Sequence, residues 1–438
     1  MIAYNTLIVL LGTALLGLVS GVIGSYTVLR RRALMGDALA HAALPGICMA
    51  YLALGERHLA WFLVGALISG TLGVLVVSLL RHATRIKEDA AIGIVLSVFF
   101  GGGIVLLRLI QNQPGGNRAG LDSYIYGKAA SMVLSDVWII AAVSVVVVAA
   151  TLLLGKEFKI ISFDREFAAA QGWPTLSLDI MMMALLVAVT VMGLPAVGVV
   201  MMAALLIVPG ASARFWTERL ETMLLLAAAF GALTGAVGTF FSAEFARLPA
   251  GPVIVLVGAA IFVVSMTCAP RRGVLSRIVS RLRMQRVTSR QNLLRTLYEL
   301  SEPQPESRPP CDVSVLAQRR AWSPRGVRRL LCWAHRENLI EQPDANRVRL
   351  TASGLEHAAD VVRTHRLWEM FLIDEARIAT DHVDRDADSI EHVLGPRLVR
   401  RLEQRLVECG RLPKGLRIPP PSPHALPETD AKGPPTRT

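Results

Sequence analysis

ALMGDALAHAALPGICMAYLAL, residues 33–54, is an almost unbroken apolar stretch that nevertheless holds an aspartate, Asp37, and a histidine, His41. Its length matches the ~20 residues a helix needs to cross a bilayer. Ionisable groups are costly at membrane depth, so they face a bundle interior or a water path and point to function. A spacing of i, i+4 places both on one helix face. There a carboxylate and an imidazole together suit a divalent cation in passing. A plainer reading has Asp37 capping a helix that starts after Gly36, with His41 bonded to a backbone carbonyl. Pro45 and Gly46 predict an unwound helix just beyond, and broken helices lining a cavity are where transporters place ion sites.

Similar stretches recur over residues 1 to about 270 of the 438, in a chain that is 53% hydrophobic. Nine candidate spans emerge: 7–29, 33–54, 59–80, 90–110, 135–155, 178–193, 196–213, 221–241 and 252–268. The sixth and seventh are short and separated by Pro195, which leaves eight or ten as alternatives. No basic region precedes the first span and no small-residue cleavage site follows it cleanly, so it reads as a retained helix. Small residues at small-xxx-small spacing, as in GTALLGLVSGVIGS and GALTGAVG, predict close helix packing and no chemistry. Met181–Met183, Met201 and Met202 read the same way.

Orientation follows from lysine and arginine in short loops. With the N-terminus outside, the inner loops hold eleven: Arg30, Arg31, Arg32, Arg81, Arg85, Lys87, Lys156, Lys159, Arg165, Arg214 and Arg219. The outer side holds five: Arg57, Arg108, Arg118, Lys128 and Arg247. The C-terminal half therefore faces the cytoplasm. The chain's five cysteines, Cys48, Cys268, Cys311, Cys332 and Cys409, with no C-x-x-C pair, suggest neither a disulfide framework nor a zinc ribbon and fit a reducing compartment. One inner loop, KEFKIISFDREFAAAQGWPTLSLD, carries a short amphipathic segment from Asp164 to Gln171, stopped by Gly172 and Pro174. Its charged face beside an alanine run favours docking in a protein groove over lipid.

GVIGSYTVLRRRALMGDALAHAALPG, EDAAIGIVLSVFFGGGIVLL, AGLDSYIYGKAAS, FDREFAAAQG, PAVGVVMMAALLIVPGASAR and LPAGPVIVLVGAAIF occur in this order across residues 5–272. Together they resemble the permease family of manganese, zinc and iron ABC importers. The resemblance implies an all-α polytopic fold of about eight to nine transmembrane helices. It implies that the segment 163–172 is the coupling helix seated on the ATPase subunit, with Asp164, Glu166 and Gly172 at the coupling contact. It also matches the family's intramembrane aspartate and histidine to Asp37 and His41.

From residue 271 the composition changes. Residues 271–438 hold thirty Lys/Arg against twenty-one Asp/Glu, net +9, whereas residues 1–270 hold sixteen against thirteen, net +3. A basic soluble half suggests an anionic partner. Residues 273–287 form a basic amphipathic juxtamembrane linker suited to the anionic inner leaflet. Residues 288–352 have the element order of a winged helix: SRQNLLRTLYELSE, DVSVLAQRRA, a helix capped by Ser323, and a wing at QPDANRVRLT. The third helix presents Arg325, Arg328, Arg329 and Arg336, where a helix-turn-helix meets phosphates and base edges. The same arginines also read as a solvated basic face, so nucleic acid stays an open partner. The tail, 413–438, is proline-dense without apolar period and reads as disordered.

THRLWEMFL and DADSIEHVL, with the helix order around them over residues 288–410, resemble the iron- and manganese-dependent repressors. The resemblance implies a helical dimerisation and metal-binding domain over 353–412, with a regulatory metal held by His365, Glu369, Asp388, Glu391 and His392. His365 and Glu369 share a face at i, i+4, and Asp388, Glu391 and His392 share one at i, i+3, i+4. Two departures stand out. Asn292 replaces a family ligand and Arg295 stands where manganese-type members carry a carboxylate, while Asp384 replaces an iron-type histidine. A positive charge near such a site disfavours a dication.

The expected function is the membrane subunit of an ATP-driven manganese, zinc or iron importer, with a cytoplasmic repressor-like domain for sensing metal; an intermediate reading has metal binding at that domain change the dimer and slow transport. No tightly bound cofactor is expected; divalent metal enters as cargo and as regulatory ligand. No G-x-x-x-x-G-K-[ST] occurs, so a separate ATPase subunit must hydrolyse ATP. Further expected partners are an extracytoplasmic metal-binding protein, the lipid bilayer, and a second copy or a sister permease. The alternative is a membrane-tethered, metal-responsive transcription regulator.

Overall fold

The computed structural model describes residues 4–32, 34–55, 59–112, 127, 129, 132–245, 248–302, 309–344, 346–374, 396–409 and 412. The chain divides into two units, Met1–Ile278 and Val279–Thr438. The first is built from α1 (Tyr4–Leu29), α2 (Leu34–Leu54), α3 (Leu59–Ala83), α4 (Glu88–Gln111), α5 (Leu134–Leu153), α6 (Gly155–Phe163) and α7 (Arg165–Ala170). It continues with α8 (Thr175–Val197), α9 (Val199–Trp216), α10 (Leu220–Glu244) and α11 (Ala250–Cys268). Among the described residues eight helices, α1–α5, α8, α10 and α11, are long and apolar enough to cross a membrane, and α9 is apolar but shorter. Helices satisfy every backbone group internally, which hydrocarbon demands.

Two expectations from proline placement need correction. α8 is a full-length helix that passes through Pro195, and the break falls at Gly198. Pro195 withholds the N–H that would meet the Val191 carbonyl, but only two helical residues follow it, and the Leu194 carbonyl still accepts from the Gly198 N–H at 2.9 Å. α2 likewise stays helical through Pro45 and Gly46. Pro45 withholds only the N–H that would meet the His41 carbonyl, and neighbouring α3 braces the same turn: Ser69 Oγ donates to the Ala42 carbonyl at 2.6 Å, and the Gly46 backbone lies against that of Gly65.

The α1–α10 seam shows the small-residue pattern at work. A Cβ on Gly17 would collide with the Gly231 carbonyl, and one on Gly231 with the Gly17 carbonyl, so the two backbones touch. One end of the seam is closed by a hydroxyl pair, Thr13 Oγ1 and Thr239 Oγ1, 2.8 Å apart and both buried. The core around it is aliphatic, with Leu16, Ile23, Leu44, Ile47, Leu186 and Leu194 buried.

The second unit takes up most of α12 (Val274–Ser301), which covers residues 274–287 of the basic stretch and the first winged-helix element; no glycine or proline interrupts it. Then come β1 (Cys311–Asp312), α13 (Val313–Arg319), α14 (Pro324–Arg336), β2 (Ile340–Asp344) and β3 (Arg347–Leu350) in an antiparallel sheet of order β1-β3-β2. Caps set the two short helices. Asp312 accepts from the Ser314 N–H and hydroxyl, which hold its carboxyl below the usual range, and Ser323 Oγ accepts from the Gly326 N–H at 3.2 Å. Leu293, Leu297, Leu316, Val327, Leu331 and Val348 form the core. α15 (Ala352–Asp374) and α16 (Pro396–Glu408) complete the unit, packed through Leu367 and Leu406.

Gly17→Leu should therefore cost at least about 1–3 kcal/mol by overpacking, whereas Leu11→Ala, at a half-exposed outward position, should cost much less. Thermal unfolding in detergent checks this: a Gly17→Leu chain melting with the wild type would show that the seam is not in backbone contact.

Candidate functional site

Asp37 occupies the first turn of α2, where a carboxylate also meets the positive end of the helix. His41 follows one turn later, its Nε2 3.4 Å from Asp37 Oδ1. Phe100 of α4 packs edge-on against the imidazole, centroids 4.5 Å apart. The other ring nitrogen, Nδ1, is buried and has no hydrogen-bond partner, so the expected carbonyl acceptor is not found among the described residues. Asp37 thus faces Nε2, the nitrogen through which a cation shared by the two side chains would be held, while Nδ1 on the other edge of the ring is left unmet among the described residues. No third His, Cys, Asp or Glu joins them among the described residues. Two protein donors leave most of a metal's coordination to other ligands, which suits passage over retention.

The segment expected to couple to a motor subunit is α7. Asp164 is its N-cap, Oδ1 accepting from the Phe167 N–H at 2.9 Å. Gly172 ends the turn with φ +82°, a left-handed conformation that glycine adopts freely. Glu166 is exposed, as are the large apolar side chains of Phe163, Phe167 and Trp173. Those aromatics were not singled out in the sequence, where only the charged face was weighed.

Sequence reasoning also missed Asp179, near the start of α8. Its carboxylate is buried and carries three arginines: Arg30 Nη2 at 2.5 Å, Arg32 Nη1 at 3.0 Å and Arg165 Nη1 at 3.6 Å. Arg30 and Arg32 follow the end of α1, and Arg165 opens α7. The knot thus ties α7 to α8 and to the connection that leads into α2, five residues before Asp37. Lys159 of α6 also meets Glu221 of α10, Nζ–Oε1 2.8 Å. Residues assigned to the inner side by charge are gathered at one end of the bundle.

In the second unit, His365 and Glu369 lie buried on α15, with Nε2 3.0 Å from Glu369 Oε1. Arg295 of α12 reaches into the same place: its Nη1 lies 3.1 Å from His365 Nδ1, and its Nε donates to Glu299 Oε1 at 2.6 Å. Asn292, one turn earlier, leaves Oδ1 buried without a hydrogen-bond partner among the described residues. Asp384, Asp388, Glu391 and His392, like the tail 413–438, lie outside the described residues. The two described donors do not offer an open metal site, because the imidazole is already engaged at both nitrogens.

The four arginines of α14 do converge. Arg325, Arg328, Arg329 and Arg336 line an open cleft of about 640 Å³ together with Arg290 and Trp333. Arg290, on α12, stacks its guanidinium 4.5 Å from the Trp333 ring centre. Arg290 belongs to the cleft through tertiary contact and carried no signal in the sequence.

Residues 3–269 match the family model described as ABC 3 transport family, and residues 351–420 match that of the iron dependent repressor, metal binding and dimerisation domain. The chain is 40% identical over 412 residues to the manganese transport system membrane protein MntC of Bacillus subtilis (strain 168), covering 94% of this chain and 93% of that protein. It is 45% identical over 276 residues to the zinc transport system membrane protein TroC of Treponema pallidum (strain Nichols), covering 63% of this chain and 93% of that protein. Among solved structures, PsaBC from Streptococcus pneumoniae in complex with Fab superposes with a TM-score of 0.55 at 30% identity, covering 62% of this chain and 94% of that one.

Removing the centre of the arginine knot leaves buried cations uncompensated, which costs about 3–5 kcal/mol. Asp179→Asn should lower the unfolding midpoint accordingly; a midpoint at the wild-type value would mean that water already screens the three arginines.

Proposed function

The chain belongs to the ABC 3 transport family, and on that premise we propose that it is the membrane-spanning permease of an ATP-driven importer for manganese, zinc or iron. The observation that carries this reading is His41, whose buried Nδ1 lacks a hydrogen-bond partner among the described residues while Asp37 stands beside its other nitrogen. Carboxylate with imidazole suits these three metals, and a two-donor set binds cargo briefly enough to release it. The manganese and zinc relatives named above support the substrate class.

This chain has no phosphate-binding loop, so ATP hydrolysis belongs to a partner subunit. That subunit seats on the exposed face of α7, where Glu166 supplies charge and Phe163, Phe167 and Trp173 supply apolar area. The Asp179 knot gives its push a path: α7 moves Arg165, the shared carboxylate moves Arg30 and Arg32, and the connection into α2 moves with them. Asp37 and His41 then change the side from which they are reached, which is alternating access. An extracytoplasmic binding protein delivers the metal, and a second copy or a sister permease completes the membrane assembly. The second unit is a cytoplasmic domain of the metal-repressor type.

The arginine cleft favours one additional activity, binding of nucleic-acid phosphates by the cytoplasmic domain. If so, duplex binding by the full chain weakens steeply with salt, and Arg328→Ala/Arg329→Ala reduces the slope of log K on log salt by about 2. Binding that ignores salt, or no binding, contradicts it.

The transport reading is tested by uptake of radiolabelled manganese, zinc and iron into vesicles holding the chain with its ATPase and binding protein. Wild type should import at least one metal with ATP. Asp37→Ala/His41→Ala should lose at least about tenfold, the scale of a lost ligand, and Glu166→Arg should lose uptake by unseating the motor. No uptake of any metal would favour the tethered-regulator reading instead.

A further inference from the structure

A repressor-type metal site needs a histidine lone pair and carboxylate oxygens turned toward an empty centre. Here the centre is crossed by a chain of contacts, Glu299–Arg295–His365–Glu369, with links of 2.6, 3.1 and 3.0 Å. A guanidinium has five donors and no acceptor, so His365 Nδ1 must be the acceptor and spends its lone pair on Arg295. The ring proton is then on Nε2, which lies 3.0 Å from Glu369 Oε1 in an ion-pair contact and not a hydrogen bond. Neither nitrogen keeps a lone pair for a metal.

Electrostatics and burial agree with this count. Arg295, His365 and Glu369 are 3%, 2% and 0% exposed. The Arg295 charge is met by Glu299, which Arg319 also approaches at 3.8 Å. A dication beside a fixed guanidinium would add repulsion in a poorly solvated place. Beside it, Arg366 of α15 grips Glu302 at the end of the α12 turn through two bonds of 2.8 and 2.6 Å. The junction between α12 and α15 is thus closed by the protein's own charges.

We propose that Arg295 is the resident cation of this site. Its guanidinium takes the place that a divalent metal would take at His365 and Glu369, so α15 is tied to the winged helix without metal, and a metal enters only by displacing Arg295. This goes beyond the transport reading and stands or falls apart from it, because it concerns no residue of the membrane bundle.

The test titrates Co²⁺ into the detergent-solubilised full-length chain and follows its visible absorption, with His365→Ala assigning the signal to this site. Wild type should show no His365-dependent absorption, and its unfolding midpoint should be the same in EDTA and in Co²⁺. Arg295→Gln should gain His365-dependent absorption, with apparent affinity at least about tenfold above wild type, and its midpoint should fall in EDTA and recover with Co²⁺. Arg295→Lys keeps a cation and should stay folded in EDTA, which separates loss of charge from loss of fold should Arg295→Gln fail to fold without metal. Wild type binding Co²⁺ through His365 as tightly as Arg295→Gln overturns the proposal. So does an Arg295→Gln chain that gains no Co²⁺ absorption and no Co²⁺-dependent stability.

Discussion

A carboxylate buried among helices must be matched, and Asp179 is matched three times over, by Arg30, Arg32 and Arg165. Without that carboxylate the connection after α1 and the start of the short α7 would hold like charges against one another in a poorly solvated space. With it, three segments that are far apart in sequence become one mechanical piece. α7 has only six residues and little buried area of its own, with Ala168 as its buried side chain. Its position depends on this attachment, and so does any force it transmits. Asp37 and His41, the pair proposed to meet the cargo metal, sit a few residues beyond the same knot.

The two halves of the chain handle buried charge in opposite ways. In the membrane bundle, Asp37 and His41 meet only loosely, Nε2 3.4 Å from Oδ1, and His41 Nδ1 has no hydrogen-bond partner among the described residues. In the cytoplasmic unit, His365 is satisfied from both sides and Arg295 fills the centre. An open pair releases and rebinds; a filled one holds a structure together. That contrast fits a chain in which metal moves through the bundle while the appended domain is held folded by its own residues.

Much of this was legible in the sequence because membrane helices advertise themselves by length and apolarity. Asp37 and His41 stood out as ionisable residues in an apolar run, and FDREFAAAQG as a capped amphipathic turn between spans. Glycine spacing in GTALLGLVSG and GALTGAVG pointed to close helix packing, and the structure pairs these two stretches in the α1–α10 seam. What stayed hidden depends on partners distant in sequence. Asp179 sits in TLSLDIMMM with nothing to mark it, since its meaning comes from arginines about 15 and 150 residues away. Arg290 joins the α14 cleft only through Trp333. Pro45 and Pro195 misled for a related reason: local rules place a break at proline, but packing against α3, with Ser69 on the Ala42 carbonyl, accompanies α2 through Pro45, and α8 runs on past Pro195 to end before Gly198.

The central claim is that cargo metal meets His41 inside the bundle. Pulsed electron–nuclear double resonance on Mn²⁺ trapped in the assembled transporter reads this directly, through the hyperfine coupling of a ligating nitrogen. The account predicts a single imidazole coupling that changes with ¹⁵N-histidine labelling and vanishes in His41→Ala. Trapped Mn²⁺ with no nitrogen coupling, or with one that survives His41→Ala, would contradict it.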